Sequence, residues 1–338
     1  MITMFTRLKN ISCNYIMMLT VAIVSGLVLF GGLNMQHSTN SKYIRTSSET
    51  AYQVIDSQGF KFVIAQKPMR IVSLSVSTDE MLLALVGEKR LIGISPWSDV
   101  PTVSCIADSV KHIPFRAHSG NAEAVLAIQS DLIVVPDYTR EEVVKTLREA
   151  GANVYVCKTP HKLKDVKDTI LQLGKLVKEE AKADEIVAEM DSRLQKIAEQ
   201  VAKVPQTKRL RVLRMQENGA YYAPDTSFRE LCRLAGMKDA AEDLKYEYSC
   251  NLSQEEVVLL NPDVFVLEDW NYDGKHDAKL LQKQVLANKA YQATAAWKQQ
   301  KAVLVPANHL LTVSQYMAAG VEDLAAAIYP EYIANVSR

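Results

Sequence analysis

The chain has 338 residues, 48% of them apolar and 23% charged, with 39 basic residues against 39 acidic ones. That length suits two domains with sizeable cores, and a net charge of zero without any Lys/Arg run excludes a protein built to bind nucleic acid. Thirteen glycines, eleven prolines and five cysteines exclude the collagen-like, disordered and disulfide-dense classes.

The first element is topogenic. Ile11 to Leu33 is uncharged and mostly apolar, with Arg7 and Lys9 just ahead of it. That polarity keeps the N-terminus cytoplasmic and exports the remainder of the chain. Residues 1–36 therefore read as a signal peptide or an N-terminal membrane anchor, since the apolar stretch reaches the roughly 20 residues that cross a bilayer. Gly31-Gly32-Leu33 is not a clean cleavage site, and Cys13 precedes the apolar run, where no lipoprotein cysteine lies. The body is expected outside the cytoplasm, periplasmic or tethered to the inner membrane by residues 11–33. It keeps Cys105, Cys157, Cys232 and Cys250, which either pair or remain buried thiols.

Residues 37–50 are polar and read as a spacer. A first lobe is expected over 51–162. It opens with a hairpin, Ala51–Ile55 and Phe60–Ile64, followed by a short apolar strand in Arg70–Ser75 and a helix over Asp79–Leu85. Buried strands are expected at Leu91–Ile94, Leu132–Val135 and Val154–Cys157, with helices at Ala122–Ile128 and Glu141–Ala150 between them. Short apolar strands alternating with helices imply parallel βα units. Residues 163–204 carry only helical spacing: Val166, Ile170, Leu173 and Val177, then Val187, Met190, Leu194, Ile197 and Val201. A break near Lys178-Glu179-Glu180 leaves a helix from about 180 to 203, on the order of 36 Å long, which suits a strut between two lobes. Strands return at Leu210–Met215, Val264–Leu267 and Ala302–Val305, with helices at Phe228–Ala235, Gln254–Leu260, Ala278–Val285 and Val313–Ile328. These define a second lobe over 205–338.

The two lobes echo each other. Asn121 to Asp137 aligns without gaps on Ser253 to Asp269, pairing Glu123, Val125, Asp131, Val134 and Asp137 with Glu255, Val257, Asp263, Val266 and Asp269. Each copy reads as a capped helix, a tight turn and a buried strand. The fold class expected is α/β, two Rossmann-like lobes joined by a single long helix with a ligand cleft between them.

Arg70-Ile-Val-Ser-Leu-Ser-Val-Ser-Thr-Asp-Glu-Met-Leu-Leu-Ala-Leu-Val-Gly87 resembles the opening of the iron-chelate and vitamin B12 family of ABC-transporter substrate-binding proteins. Leu91 to Pro101 resembles its next strand and loop. The segments ending in Ser130-Asp131-Leu132 and Pro262-Asp263-Val264 are similar to its paired "PDL" strands, and Ala302 to Pro306 before a last helix to Tyr329-Pro330-Glu331 also fits. The resemblance runs over about residues 50–332. It implies a protein, expected to be monomeric, that captures a ferric siderophore or a cobalamin-like corrinoid and hands it to a permease driven by a cytoplasmic ATPase. No covalent chemistry, cofactor or metal site is implied. Haem is the alternative ligand within the family, and a non-transport receptor on the same fold is the alternative role. Haem-binding members often present a tyrosine in the loop before the first repeated helix, where this sequence has Arg116.

The resemblance also implies one glutamate on each lobe docking into arginine pockets of the permease, and Glu80 and Glu230 match the positions. Each ends an S-x-x-E pattern, from Ser77 and from Ser227, so a helix capping box accounts for them as well. Candidate ligand-binding residues lie just beyond strand ends, where open α/β sheets form crevices. In the first lobe these are Trp97, Arg116, His118 and Tyr138; in the second they are Tyr221, Tyr222, Trp270, Tyr272 and His309. Aromatic rings suit flat apolar faces and arginine suits carboxylate or catecholate oxygens, so a bulky, flat or anionic ligand is expected. The six histidines show no metal-site spacing. G-x-S-x-G, Walker A, H-E-x-x-H and G-x-G-x-x-G patterns are absent from the sequence, so an enzyme is not expected.

Overall fold

A computed structural model describes residues 50–271 and 275–333. The apolar N-terminal segment and Tyr272 lie outside the described residues. A five-stranded parallel sheet and a six-stranded mixed sheet organise the body from Gln53 onward. The hairpin of β1 (Tyr52–Ile55) and β2 (Lys61–Ile64) comes first. The first sheet then runs β5-β4-β3-β6-β7, from β3 (Ile71–Ser73), β4 (Leu91–Ile94), β5 (Phe115–Arg116), β6 (Leu132–Pro136) and β7 (Val154–Cys157). Helices α1 (Val76–Val86), α2 (Ala122–Ala127) and α3 (Glu141–Glu149) connect its strands. β3, β4, β6 and β7 are buried in nearly every residue, as expected where helices cover both faces of a parallel sheet.

Two helices lead to the second lobe, α4 (Leu163–Val177) and the 22-residue α5 (Glu180–Val201). The break between them falls at Lys178, whose backbone is left-handed with φ 59°. Beside it Glu179 takes Arg90 at 2.5 Å and Lys67 at 2.7 Å. α5 buries Ala183, Ile186, Met190, Ile197 and Val201 along one face. It packs against α1 and α4 on one side and a helix of the second lobe on the other.

The second sheet has the order β11-β9-β8-β12-β13. Its strands are β8 (Arg211–Gln216), β9 (Gly219–Tyr222), β10 (Lys238–Asp239), β11 (Cys250–Asn251), β12 (Val264–Glu268) and β13 (Ala302–Val305). β9 turns back antiparallel on the end of β8, and β10 runs parallel beside its start. The helices are α6 (Ser227–Leu234), α7 (Gln254–Leu260), α8 (Ala278–Ala287), α9 (Ala295–Lys298), α10 (Ala307–Leu310) and α11 (Met317–Ile328). Its core is built around fully buried Phe265, with Leu213, Leu267 and Tyr291.

The internal repeat has a structural meaning. Asp131 accepts from the amides of Met69 (2.8 Å) and Arg70 (3.0 Å), and Asp263 accepts from the amide of Arg211 (2.8 Å). Each aspartate thus clips the entry to the first strand of its own lobe. Arg70 returns the bond to the carbonyls of Ile128 and Gln129, and Arg211 to that of Leu260. Gln129 and Asn261, at matching positions of the repeat, both adopt positive φ. Val125, Val134, Val257 and Val266 are fully buried.

α10 and α11 meet without room for a side chain. A Cβ on Gly320 would stand 2.3 Å from the His309 carbonyl oxygen, and that atom belongs to backbone that moves only with α10. Gly320→Ala is expected to cost about 1–3 kcal/mol of stability. An unchanged urea midpoint would show that the two helices separate freely.

Candidate functional site

The two lobes meet through the loop after β4 and the segment after β13. The loop after β4 carries Ser104 and Cys105, and the segment after β13 carries residues 306–316; the Cys105 thiol donates to the Asn308 carbonyl at 3.4 Å. Between them lies Glu80, a residue of α1 with no exposed surface. Its carboxyl accepts from the Cys105 amide (2.8 Å), the Thr312 hydroxyl (2.8 Å) and the Ser314 hydroxyl (2.5 Å). Gln315 donates to its backbone carbonyl at 2.8 Å. Burial pushes the Glu80 carboxyl up, and the hydrogen bonds from Ser314, Cys105 and Thr312 only partly oppose this.

The expectation of a docking carboxylate at Glu80 is therefore corrected: the group is enclosed between the lobes. Nor is Glu80 half of a capping box. The N-cap of α1 is Ser75, whose side chain accepts from the Thr78 amide. In α6 the cap also precedes the expected one, at Thr226 rather than Ser227. Glu230 is bound by the Arg233 guanidinium through two 2.9 Å contacts, and this pair holds its carboxyl below the ordinary range.

On the first lobe, Trp97 is exposed on a short 3-10 turn, Pro96–Asp99, directly after β4. Two buried interactions hold that turn. Asp79 Oδ2 accepts from the Ser95 amide at 2.9 Å and the Ser98 hydroxyl at 2.7 Å. At the far end Asp99 takes Arg116 through paired contacts of 2.6 and 2.7 Å. Burial pushes the Asp79 carboxyl up to about 8. Tyr138, 68% exposed, follows β6. Asp137 is anchored by the Thr159 hydroxyl at 2.6 Å and by its own amide on the Cys157 carbonyl at 2.9 Å. Trp97 and Tyr138 thus stand at the ends of β4 and β6.

The sequence expectation for Arg116 is corrected as well. Besides Asp99, its guanidinium donates to the carbonyls of Ile113 (2.7 Å) and Val110 (3.0 Å). The side chain is a clamp inside the first lobe and has no donor to spare for a ligand. His118 is exposed beside it, ahead of α2.

On the second lobe, Tyr222 is also corrected. It lies inside β9, 3% exposed, with its hydroxyl donating to the Tyr246 carbonyl at 3.0 Å. Tyr221 points outward from the same strand. His309 holds α10 to α11 through a 2.6 Å contact with Asp323. Trp270 is half-buried and lines a cavity of about 270 Å³ at the carboxyl ends of β8 and β12, together with Met215, Glu217, Glu268 and His276. Asp269, just before Trp270, accepts from the Ala307 amide at 2.6 Å and donates its own amide to Val305. Asp137 and Asp269, paired by the repeat, therefore support Tyr138 and Trp270 in the same way. Sequence spacing missed Glu217, although the adjacent Asn218-Gly219 pair marks the hairpin turn that presents it.

The four cysteines 105, 157, 232 and 250 are free thiols. Among the described residues, no helix is long and apolar enough to cross a membrane.

Residues 71–308 match the model of a family described as periplasmic binding protein. A Bacillus subtilis (strain 168) protein named as an uncharacterized ABC transporter substrate-binding lipoprotein is 23% identical over 315 residues, covering 91% of this chain and 95% of its own. A cobalamin-binding protein of Halobacterium salinarum is 26% identical over 259 residues, 75% of this chain and 68% of its own. Among solved structures, a periplasmic heme-binding protein of Roseiflexus sp. RS-1 superposes with a TM-score of 0.66 at 19% identity, covering 77% of this chain and 98% of that one. A molybdate periplasmic binding protein of Haemophilus influenzae gives 0.68 at 19%, covering 85% and 94%. At such identities the solved structures speak to the fold, whereas the family match runs from β3 of one lobe into α10 of the other. The chain belongs to the periplasmic binding protein family.

Proposed function

We propose that the chain is the solute-binding component of an ABC importer, capturing a ferric siderophore or a cobalamin-like corrinoid outside the cytoplasm. The observation that carries this reading is the placement of aromatic side chains at the carboxyl edges of both sheets. Trp97 and Tyr138 occupy one edge and Trp270 the other, where open α/β sheets take their ligands. Rings of this kind cover the apolar faces of a large flat ligand. Export signalled by residues 11–33 agrees with the role, and the ligand reading draws on the cobalamin-binding relative. Saturable quenching of tryptophan fluorescence by one ligand class, with a Kd of about 1 μM or tighter, tests it. A folded protein that binds none of them would refute it.

The permease contact passes to another pair of glutamates. Glu123 and Glu255 match in the repeat, each in the first turn of its helix, and both are exposed. The other duplicated polar residues, Asp131 and Asp263, Asp137 and Asp269, are occupied inside their lobes. Neither glutamate side chain has a hydrogen bond or ion pair among the described residues. Two equivalent carboxylates, one per lobe, suit arginine recognition on a permease with matching halves. Glu123→Lys with Glu255→Lys is expected to abolish uptake while ligand affinity stays unchanged. Normal uptake by the double variant would overturn this contact.

A further inference from the structure

We propose that the second-lobe cavity receives hydrogen-bond donors of the ligand, amide N–H or ammonium groups, and rejects carboxylates. The inference rests on the solute-binding reading and narrows its ligand class. The solute presents a neutral or cationic, donor-bearing end: an amide-rich corrinoid or an amine-bearing ferric hydroxamate rather than haem or a polyanionic chelate.

Three observations lead there. First, the cavity lies at the carboxyl ends of β8 and β12, with Trp270 half-buried in its wall beside Met215 and Leu281. An aromatic and aliphatic wall of this kind holds a ligand by its apolar face and leaves the polar groups to orient it. Second, the polar part of that wall is acceptor-rich. Glu217 stands on the β8–β9 turn with its side chain 62% exposed, and Asp277, at the start of α8, caps the amides of Lys279 and Leu280 with one carboxylate oxygen and keeps the other. His276 is 3.3 Å from Glu217. Among the described residues no lysine or arginine lines the cavity. Arg214, behind the wall, is bound to Glu268 at 2.5 Å, so it offers no uncompensated positive charge. Third, the cation that the sequence offered to an anionic ligand is consumed elsewhere. Arg116 is closed off by Asp99 and three backbone carbonyls.

A carboxylate placed in the cavity would meet like charge without an arginine to receive it, whereas an N–H donor would meet carboxylate oxygens. Charge-assisted hydrogen bonds of that kind are among the stronger ones available to a protein site. The arrangement therefore discriminates by repulsion as much as by attraction.

The test uses the full-length chain in lipid nanodiscs, titrated by tryptophan fluorescence with inner-filter correction. Four probes separate the chemistries: cyanocobalamin, cationic ferrioxamine B, anionic ferric enterobactin and hemin. One or both of the first two are expected to bind at least about tenfold more tightly than the last two, a difference worth about 1.4 kcal/mol. Glu217→Lys is expected to weaken the preferred ligand by about tenfold or more, and Glu217→Gln, which keeps an acceptor oxygen, by less. The exposed position of Glu217 keeps either change compatible with folding. Binding of hemin or ferric enterobactin within tenfold of the best ligand, or an unaltered affinity in Glu217→Lys, would overturn the donor assignment and leave the solute-binding reading standing. A folded protein that binds none of the four overturns both.

Discussion

Glu80→Ala is expected to lower stability by about 3 kcal/mol, or about 4–5 °C in Tm for a protein of this size. The loss arises because the carboxyl joins two lobes. Its removal leaves the Cys105 amide without an acceptor and takes from Thr312 and Ser314 their shared partner, and buried donors left unpaired cost about 1–3 kcal/mol each. The two hydroxyls recover part of this through their mutual 2.9 Å bond. Glu80→Gln should cost under about 1 kcal/mol, since its amide oxygen can still accept from Cys105 and its NH2 can face the hydroxyls. Thermal melts of both variants, with solution scattering to read lobe separation, check the expectation. Equal melting of Glu80→Ala and the parent protein would mean that the junction carries no load.

A fall in stability as pH rises is the second large expectation, and Asp79 is its source. Its folded carboxyl titrates at about 8, raised by burial from an ordinary 3.8. Between those values the folded state holds a proton that the unfolded chain has released. The stabilising contribution is complete below pH 4, declines as pH rises through the window, and is lost above about 8. One proton gives a slope of at most about 1.4 kcal/mol per pH unit. Glu80, raised in the same direction by its own burial, adds a contribution of the same sign. Asp79→Asn removes the ionisable group, so urea midpoints at pH 5 and pH 8 should lie closer together in the variant than in the parent. Identical pH dependence in the two proteins would rule Asp79 out.

The same two adjacent residues show where local reading stops. Both sit in a short stretch whose pattern announces a helix, one buried on several sides. The expected Asp79–Leu85 is found as Val76–Val86, begun by a cap at Ser75 that the Ser77-x-x-Glu80 pattern disguised. Nothing near Glu80 in sequence reveals that it meets Thr312 and Ser314, more than two hundred residues on. Arg116 and Tyr222 failed as ligand candidates for a related reason. Their residue types suit both binding and structure, and only packing shows that Asp99 and the Tyr246 carbonyl have already claimed them.

What the sequence by itself determined were the features written in short-range pattern. Leu91–Ile94, Val154–Cys157 and Ala302–Val305 are strands over the residues expected, because each reads as an uninterrupted apolar run between turns, the first two covered on both faces. Gln254–Leu260 is a helix over the expected residues, with its capping box at Ser253 and Glu256. The repeat, the two α/β lobes and the helix break at Lys178 were legible for the same reason. The two-residue strands β5, β10 and β11 escaped, since so few residues carry no period. The expected helix over Val313–Ile328 begins only at Met317, because the Thr312 and Ser314 hydroxyls are drawn to Glu80. Tertiary structure alone decided which polar groups are used up inside the protein and which remain for a partner. Burial and hydrogen-bond geometry depend on residues brought together from distant parts of the chain, and a local pattern holds no record of those meetings.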